Sequence, residues 1–69
     1  MRFSRHAKNE MRLYGITPAD VAVVVAPAVA GEDARGNRLL TEPDANGRAI
    51  IVVVADGDPN FVITIFPDD

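Results

Sequence analysis

The sequence predicts an α+β domain: two N-terminal helices packed on one face of a three- to four-stranded antiparallel sheet, in the order ααβββ. Three observations predict it. Helix start and stop residues are confined to the stretch before Pro27. After Pro27 the apolar residues gather into runs rich in Ile, Val and Phe. The turn stretches EDARGN, EPDANG and DGDPN punctuate those runs. At 69 residues the chain is a single small domain, 1–69, and a domain of this size buries only about 60% of its unfolded surface. No repeats, low-complexity tracts or linkers stand out.

The first helix is expected over about Ser4 to Tyr14. Ser4 is a good N-cap and Gly15 stands where a C′ glycine belongs. Phe3, Ala7, Met11 and Tyr14 share one arc of a helical wheel, so Tyr14 is expected to pack in the core. Arg5, Lys8 and Arg12 occupy the opposite arc, with Arg2 and Asn9 nearby. His6 lies at the edge of the apolar arc, four residues from Glu10, so the two can meet on the surface.

ITPAD starts the second helix, over about 18–26. Thr17 is the N-cap, Pro18 fits the first helical position, and Asp20 puts a carboxylate at the positive end of the dipole. Ile16 is placed to staple onto Val21. The following VAVVVA favours a strand by its valines. The cap signature is the more specific signal, and Pro27 supplies a stop.

The strands are expected at NRLLTE, RAIIVVVA and NFVITIF, with AVAGE, 28–32, as a short strand ahead of them. A sheet with one wet face alternates apolar and polar residues. AIIVVVA is apolar throughout. In FVITIF, simple alternation puts Phe61, Ile63 and Ile65 on one side and Val62, Thr64 and Phe66 on the other. The sheet therefore reads as apolar on both faces. The helices cover one. Val62 and Phe66 mark the other as the interface for a partner or a second copy. The alternatives are a terminal segment folded over that face, or valines present for strand propensity alone.

Charge is uneven along the chain. Residues 1–15 hold Arg2, Arg5, Lys8 and Arg12 against Glu10, while residues 16–69 hold Arg35, Arg38 and Arg48 against nine acids, for a net charge of −3 overall. That acidity argues against general nucleic-acid affinity, which comes from phosphate neutralisation, but leaves room for a local basic patch. The chain has no cysteine and one histidine, so disulfides are excluded and a metal site is not expected. DGDPN reads as a turn, too short for a calcium loop. No nucleotide-binding or serine-hydrolase motif occurs, and no cofactor is expected. The charged N-terminus does not read as a signal peptide. VAVVVAPAVA is too short to span a bilayer. The expectation is a cytoplasmic protein that does not engage the membrane.

Two functional readings follow from the N-terminal segment. In the first, His6 is a general acid/base and Lys8 and Arg12 hold a phosphate, as a metal-independent ribonuclease requires. Arg2 and Arg5 extend the RNA-binding surface. In the second, His6 and Glu10 are a surface pair, the basic arc is solvated, and the chain is a non-catalytic interaction module or homodimer.

His6–Ala7, Met11 and Gly15–Ile16, followed by an acid-capped helix and the strands VVVA and VITIF, resemble a small bacterial family known as domain of unknown function 4258. Its leading helix typically reads HA, two residues, RM, two residues, RGI. The family is similar to toxins of the RelE/ParE and BrnT type. The resemblance spans nearly the whole chain and implies helices on an antiparallel sheet, a ribonuclease role centred on His6, and neutralisation by an antitoxin. Glu10 and Tyr14 stand where that motif has arginines. Any cationic chemistry would then fall to Arg12, Arg38 or Arg48.

Overall fold

The computed structural model describes residues 1–26 and 29–68, with the backbone alone at 29 and 30. It is an α+β fold with two helices and a five-stranded mixed sheet. The elements run β1 (Arg2–Phe3), α1 (Arg5–Tyr14), α2 (Pro18–Val25), β2 (Val29–Glu32), β3 (Arg38–Pro43), β4 (Ala49–Ala55) and β5 (Asp58–Pro67). Pro27 and Ala28, at the expected stop of α2 and start of the short strand, lie outside the described residues.

The sheet order is β1-β5-β4-β3-β2. From β2 to β5 it is the expected antiparallel meander. The strand not foreseen is β1, which pairs in parallel with β5 through Arg2 opposite Phe61 and Phe3 opposite Val62. Phe3 thus belongs to the sheet and packs against the core from there.

Both helices carry the caps the sequence gives them. The Ser4 hydroxyl accepts from the Ala7 amide at 3.0 Å, and Gly15 ends α1 at a φ of 66°. The Ile16 amide then reaches back to the Met11 carbonyl at 2.8 Å, closing a Schellman motif. Thr17 and Asp20 form a reciprocal capping box. This cap holds a valine-rich octapeptide helical, and Val21 and Val24 face inward with no exposure.

Both helices lie on one side of the sheet. α1 packs over β5 and β1, α2 over β3 and β4. The core between the layers joins Ala7, Met11, Ile16, Val21 and Val24 to Leu40, Ile50, Val52, Val54, Val62 and Ile65.

The face assignment within β5 differs from simple alternation. Val54 pairs with Val62 and Val53 with Thr64, so Ile63 is an extra residue in β5, a bulge. One inserted residue changes which side all later side chains take. Val62 therefore joins Ile65 on the helix-covered side, fully buried, whereas Thr64 and Phe66 take the outer side. Of the two residues expected at a partner interface, only Phe66 remains there. Ser4 is tied to the bulge: its amide donates to the Val62 carbonyl at 2.9 Å, and its hydroxyl donates to the Ile63 carbonyl.

The β2–β3 and β3–β4 hairpins share one turn, Asp-Ala-x-Gly, at Asp33–Gly36 and Asp44–Gly47. In each, the aspartate Oδ1 accepts two backbone amides, from Arg35 and Asn37 at 2.9 and 2.8 Å, and from Asn46 and Arg48 at 2.9 Å each. The glycines sit at φ of 83° and 80°, a region that other residues enter only at a cost. Burial by itself pushes both carboxyls up. The amide donors and the neighbouring Arg35 and Arg48 outweigh it, so Asp33 and Asp44 are held below the usual carboxylate value of 3.8. A depressed folded pKa contributes stability that is complete above the unfolded pKa and lost as pH falls through the folded one. The urea midpoint should therefore fall as pH drops below about 4, and the fall should be shallower in Asp44→Asn. An unchanged acid limb in that variant would remove Asp44 as a contributor.

Candidate functional site

Arg5, Lys8 and Arg12 project from α1 into solvent, and none forms an ion pair with a described acid. The His6 side chain is 66% exposed, with Nε2 4.0 Å from Glu10 Oε1. These residues share a helix but do not converge. At 3.6 residues per turn, His6 points about 160° away from Lys8 and about 120° from Arg12. The imidazole lies on the flank with Glu10 and Leu13, and the cations lie on the other flank. Leu13, 70% exposed, interrupts the polar surface beside His6.

Arg2 is separated from this group. It stands on β1, its guanidinium 5.4 Å from the centre of the Phe61 ring and paired with Asp58. Its register partner Phe61 places it on the outer side of the sheet, away from Arg5 on α1. The sequence reading set Arg2 near the basic arc of the wheel, although Arg2 precedes the Ser4 cap and belongs to β1.

Arg48, named in the sequence only as a reserve cation, is the most heavily bonded side chain described. Its Nε donates to Asp44 Oδ2 at 2.8 Å. Nη1 donates to the Tyr14 carbonyl at 3.0 Å. Nη2 reaches the Gly15 carbonyl and Asp20 Oδ2, each at 3.3 Å. The guanidinium fork thereby ties the end of α1, the cap of α2 and the β3–β4 turn together. Asn46 adds an amide bond to Asp20 Oδ1 at 3.2 Å. With its donors engaged this way, Arg48 acts as a clamp between elements and is not free to hold a phosphate.

A cleft of about 280 Å³ opens beside this clamp, lined by Tyr14, Ile16, Arg48, Ala49, Ile50 and Pro67. Tyr14 borders it half-exposed instead of packing in the core. A second hollow, of about 260 Å³, lies between Thr41, Pro43, Ala49 and Asp68. Neither is lined by His6, Lys8 or Arg12. A nucleophile or proton shuttle on an open helix flank gains little from charge stabilisation, because water is not excluded.

The outer side of the sheet is the remaining feature. Register places Leu39, Val53 and Thr64 in one row across β3, β4 and β5, and Thr41, Ile51 and Phe66 in the next. No described helix covers them. Phe66 is 37% exposed, and Val53, at the centre, is 2% exposed, although it lies outside the helix-side core.

No described helix is long and apolar enough to cross a membrane. In comparisons with protein-family models, curated proteins and solved structures, none gives a significant match to this chain.

Proposed function

We propose that this chain is a small protein–protein interaction module that works through the outer face of its sheet. The observation that carries the reading is the pair of rows Leu39–Val53–Thr64 and Thr41–Ile51–Phe66, apolar but for two threonines and covered by neither described helix. An uncovered apolar surface on a small protein marks a place where another surface docks. The motif resemblance suggests the setting: a bacterial, cytoplasmic toxin–antitoxin relative whose partner is an antitoxin or a second copy.

A metal-independent ribonuclease centred on His6 is the second reading. The cations Arg5, Lys8 and Arg12, none of which pairs with a described acid, favour it. His6 would take a proton from a 2′-hydroxyl while Lys8 and Arg12 neutralise the phosphate, with Arg5 holding the RNA strand. The separation of His6 from Lys8 around α1, and the lack of a cleft at either, weigh for the module instead.

Induction of the wild-type chain and of His6→Ala in a bacterial host decides between them. The module reading expects normal growth from both at matched soluble expression. Arrest by the wild type that His6→Ala relieves would replace it with the nuclease.

A further inference from the structure

We propose that Asn46 is a modification site of this chain: the neighbouring Gly47 nitrogen and water convert its side-chain amide into a carboxylate, and the closed β3–β4 turn sets the pace. The site is independent of whatever docks on the sheet.

The chain has four asparagines, Asn9, Asn37, Asn46 and Asn60, and of these only Asn46 precedes a glycine. Glycine has no Cβ to obstruct the approach of its nitrogen to the side chain before it. Asn46 and Gly47 are both exposed, so water reaches them. Asn9 lies inside α1 and Asn60 inside β5, and Asn37 precedes Arg38.

The chemistry needs water and nothing else. Solvent takes the proton from the Gly47 nitrogen, which attacks Cγ of Asn46. An N–Cγ bond forms, the Cγ–Nδ2 bond breaks, and Nδ2 leaves as ammonia with a proton from solvent. Water then opens the cyclic imide. Addition at Cγ gives aspartate, and addition at the main-chain carbonyl gives isoaspartate. The sum is asparagine plus water to aspartate plus ammonia, with no oxidation or reduction. Asp56 and Gly57 can close the same ring, but that closure expels water, which hydrolysis restores. Mass and charge there stay as they were, so a gain in negative charge reports asparagine alone.

The folded turn restrains each group in this step. The Gly47 amide donates to the Asp44 carbonyl at 3.0 Å, which ties down the attacking nitrogen. The leaving nitrogen, Asn46 Nδ2, donates to Asp20 Oδ1 at 3.2 Å. The Asn46 backbone amide donates to Asp44 Oδ1 at 2.9 Å. Ring closure therefore waits for the turn to open, and exposed loops open at the low end of the free-energy range within a folded domain.

Conversion also damages what holds the turn. It replaces the donor facing Asp20 with a charged acceptor. Arg48 is then one guanidinium among three carboxylates, two of which, Asp20 and Asp44, are almost fully buried. Carboxylates gathered this closely oppose each other's ionisation. The clamp is weakened from within.

The test incubates the purified chain in mildly alkaline buffer, folded and in concentrated urea, and follows it by anion exchange and peptide mass mapping. A more acidic species should form, modified at Asn46 as both isomers, about 10 to 100 times more slowly in the folded protein than in urea. Arg48→Lys should convert at least about threefold faster than wild type when folded, and at the wild-type rate in urea. Asn46→Ser should yield no acidic species, and Asn46→Asp should have a lower urea midpoint than Asn46→Ser. Acidic species that map to other asparagines, or an intact Asn46 in the folded chain after about a thousand half-times of the urea sample, overturn the site. Equal rates folded and in urea, or a folded Arg48→Lys no faster than wild type, overturn control by the turn. An Asn46→Asp midpoint at or above that of Asn46→Ser overturns the damage to the clamp.

Discussion

Arg48→Ala should lower the unfolding free energy by about 2 to 3 kcal/mol, the largest loss expected from any single exposed or half-exposed side chain. The variant removes the guanidinium from Asp44, Asp20 and the carbonyls of Tyr14 and Gly15 at once. Asp20 and Asp44 are only 2% and 4% exposed, and burial of an unpaired carboxylate is costly. The Arg48 side chain is 41% exposed, so water can reach part of the vacated space. That places the loss below the 3 to 5 kcal/mol of a fully buried pair. For a domain of this length the thermal midpoint should fall by about 10 to 20 °C. Arg48→Lys should recover less than half of the loss, because one ammonium cannot span acceptors from three elements. A thermal midpoint within about 3 °C of wild type in Arg48→Ala would mean that the clamp is ornamental.

The second large effect contrasts two neighbours. Ile65→Ala should cost about 3 kcal/mol, because Ile65 is fully buried in the row with Leu40 and Val52 and the site lies between sheet and helices. Phe66→Ala, one residue later on the outer face, should cost about 1 kcal/mol or less in the monomer. Both are read from urea midpoints. Equal losses at the two positions would mean that the outer face is already covered within one chain. A third variant, Val62→Ala, tests the bulge and should cost about 2 kcal/mol, because Val62 is fully buried on the helix side. Without the extra residue at Ile63, Val62 would share a face with Phe66 and be equally tolerant.

Much of this fold is written in short-range signals. Ser4, Gly15 and the Thr17-Pro18-Asp20 cap each satisfy backbone groups within a few residues, so they were legible without tertiary information, and they outweighed the strand propensity of four valines. The two-layer arrangement followed from them and from the apolar runs. What escaped the sequence is long-range. β1 is two residues long and has no period to detect; its partner, Phe61, lies at the far end of the chain. The bulge at Ile63 is one residue in a continuous apolar run, and nothing in VIT distinguishes it. The clamp is assembled from α1, α2 and the β3–β4 turn, so Arg48 looked like any turn cation. The matched turns at Asp33 and Asp44 were visible as DARG and DANG, but the recurrence is too brief to read as a repeat.

The candidate site was legible as residue types and not as geometry. His6, Lys8 and Arg12 are all on α1 and all exposed, and the His6–Glu10 pair stands as expected. Helical phase separates the imidazole from the cations. The apolar excess of the sheet was visible in AIIVVVA, and its outer rows now have named members. The uncertainty lay in parity, which one bulge reverses.

The position of β5 has a consequence for synthesis. α1 docks chiefly on this last strand, and so does β1. A chain made from its N-terminus therefore presents Ala7, Met11 and Ile16 to the medium long before Val62 and Ile65 exist to receive them. At about 5 to 20 residues per second that interval is roughly 3 to 12 s. Throughout it α1 is held by its caps alone, and a helix this short is marginal in water. Docking of α1 is thus a late event, completed when β5 slots between the first strand and the fourth.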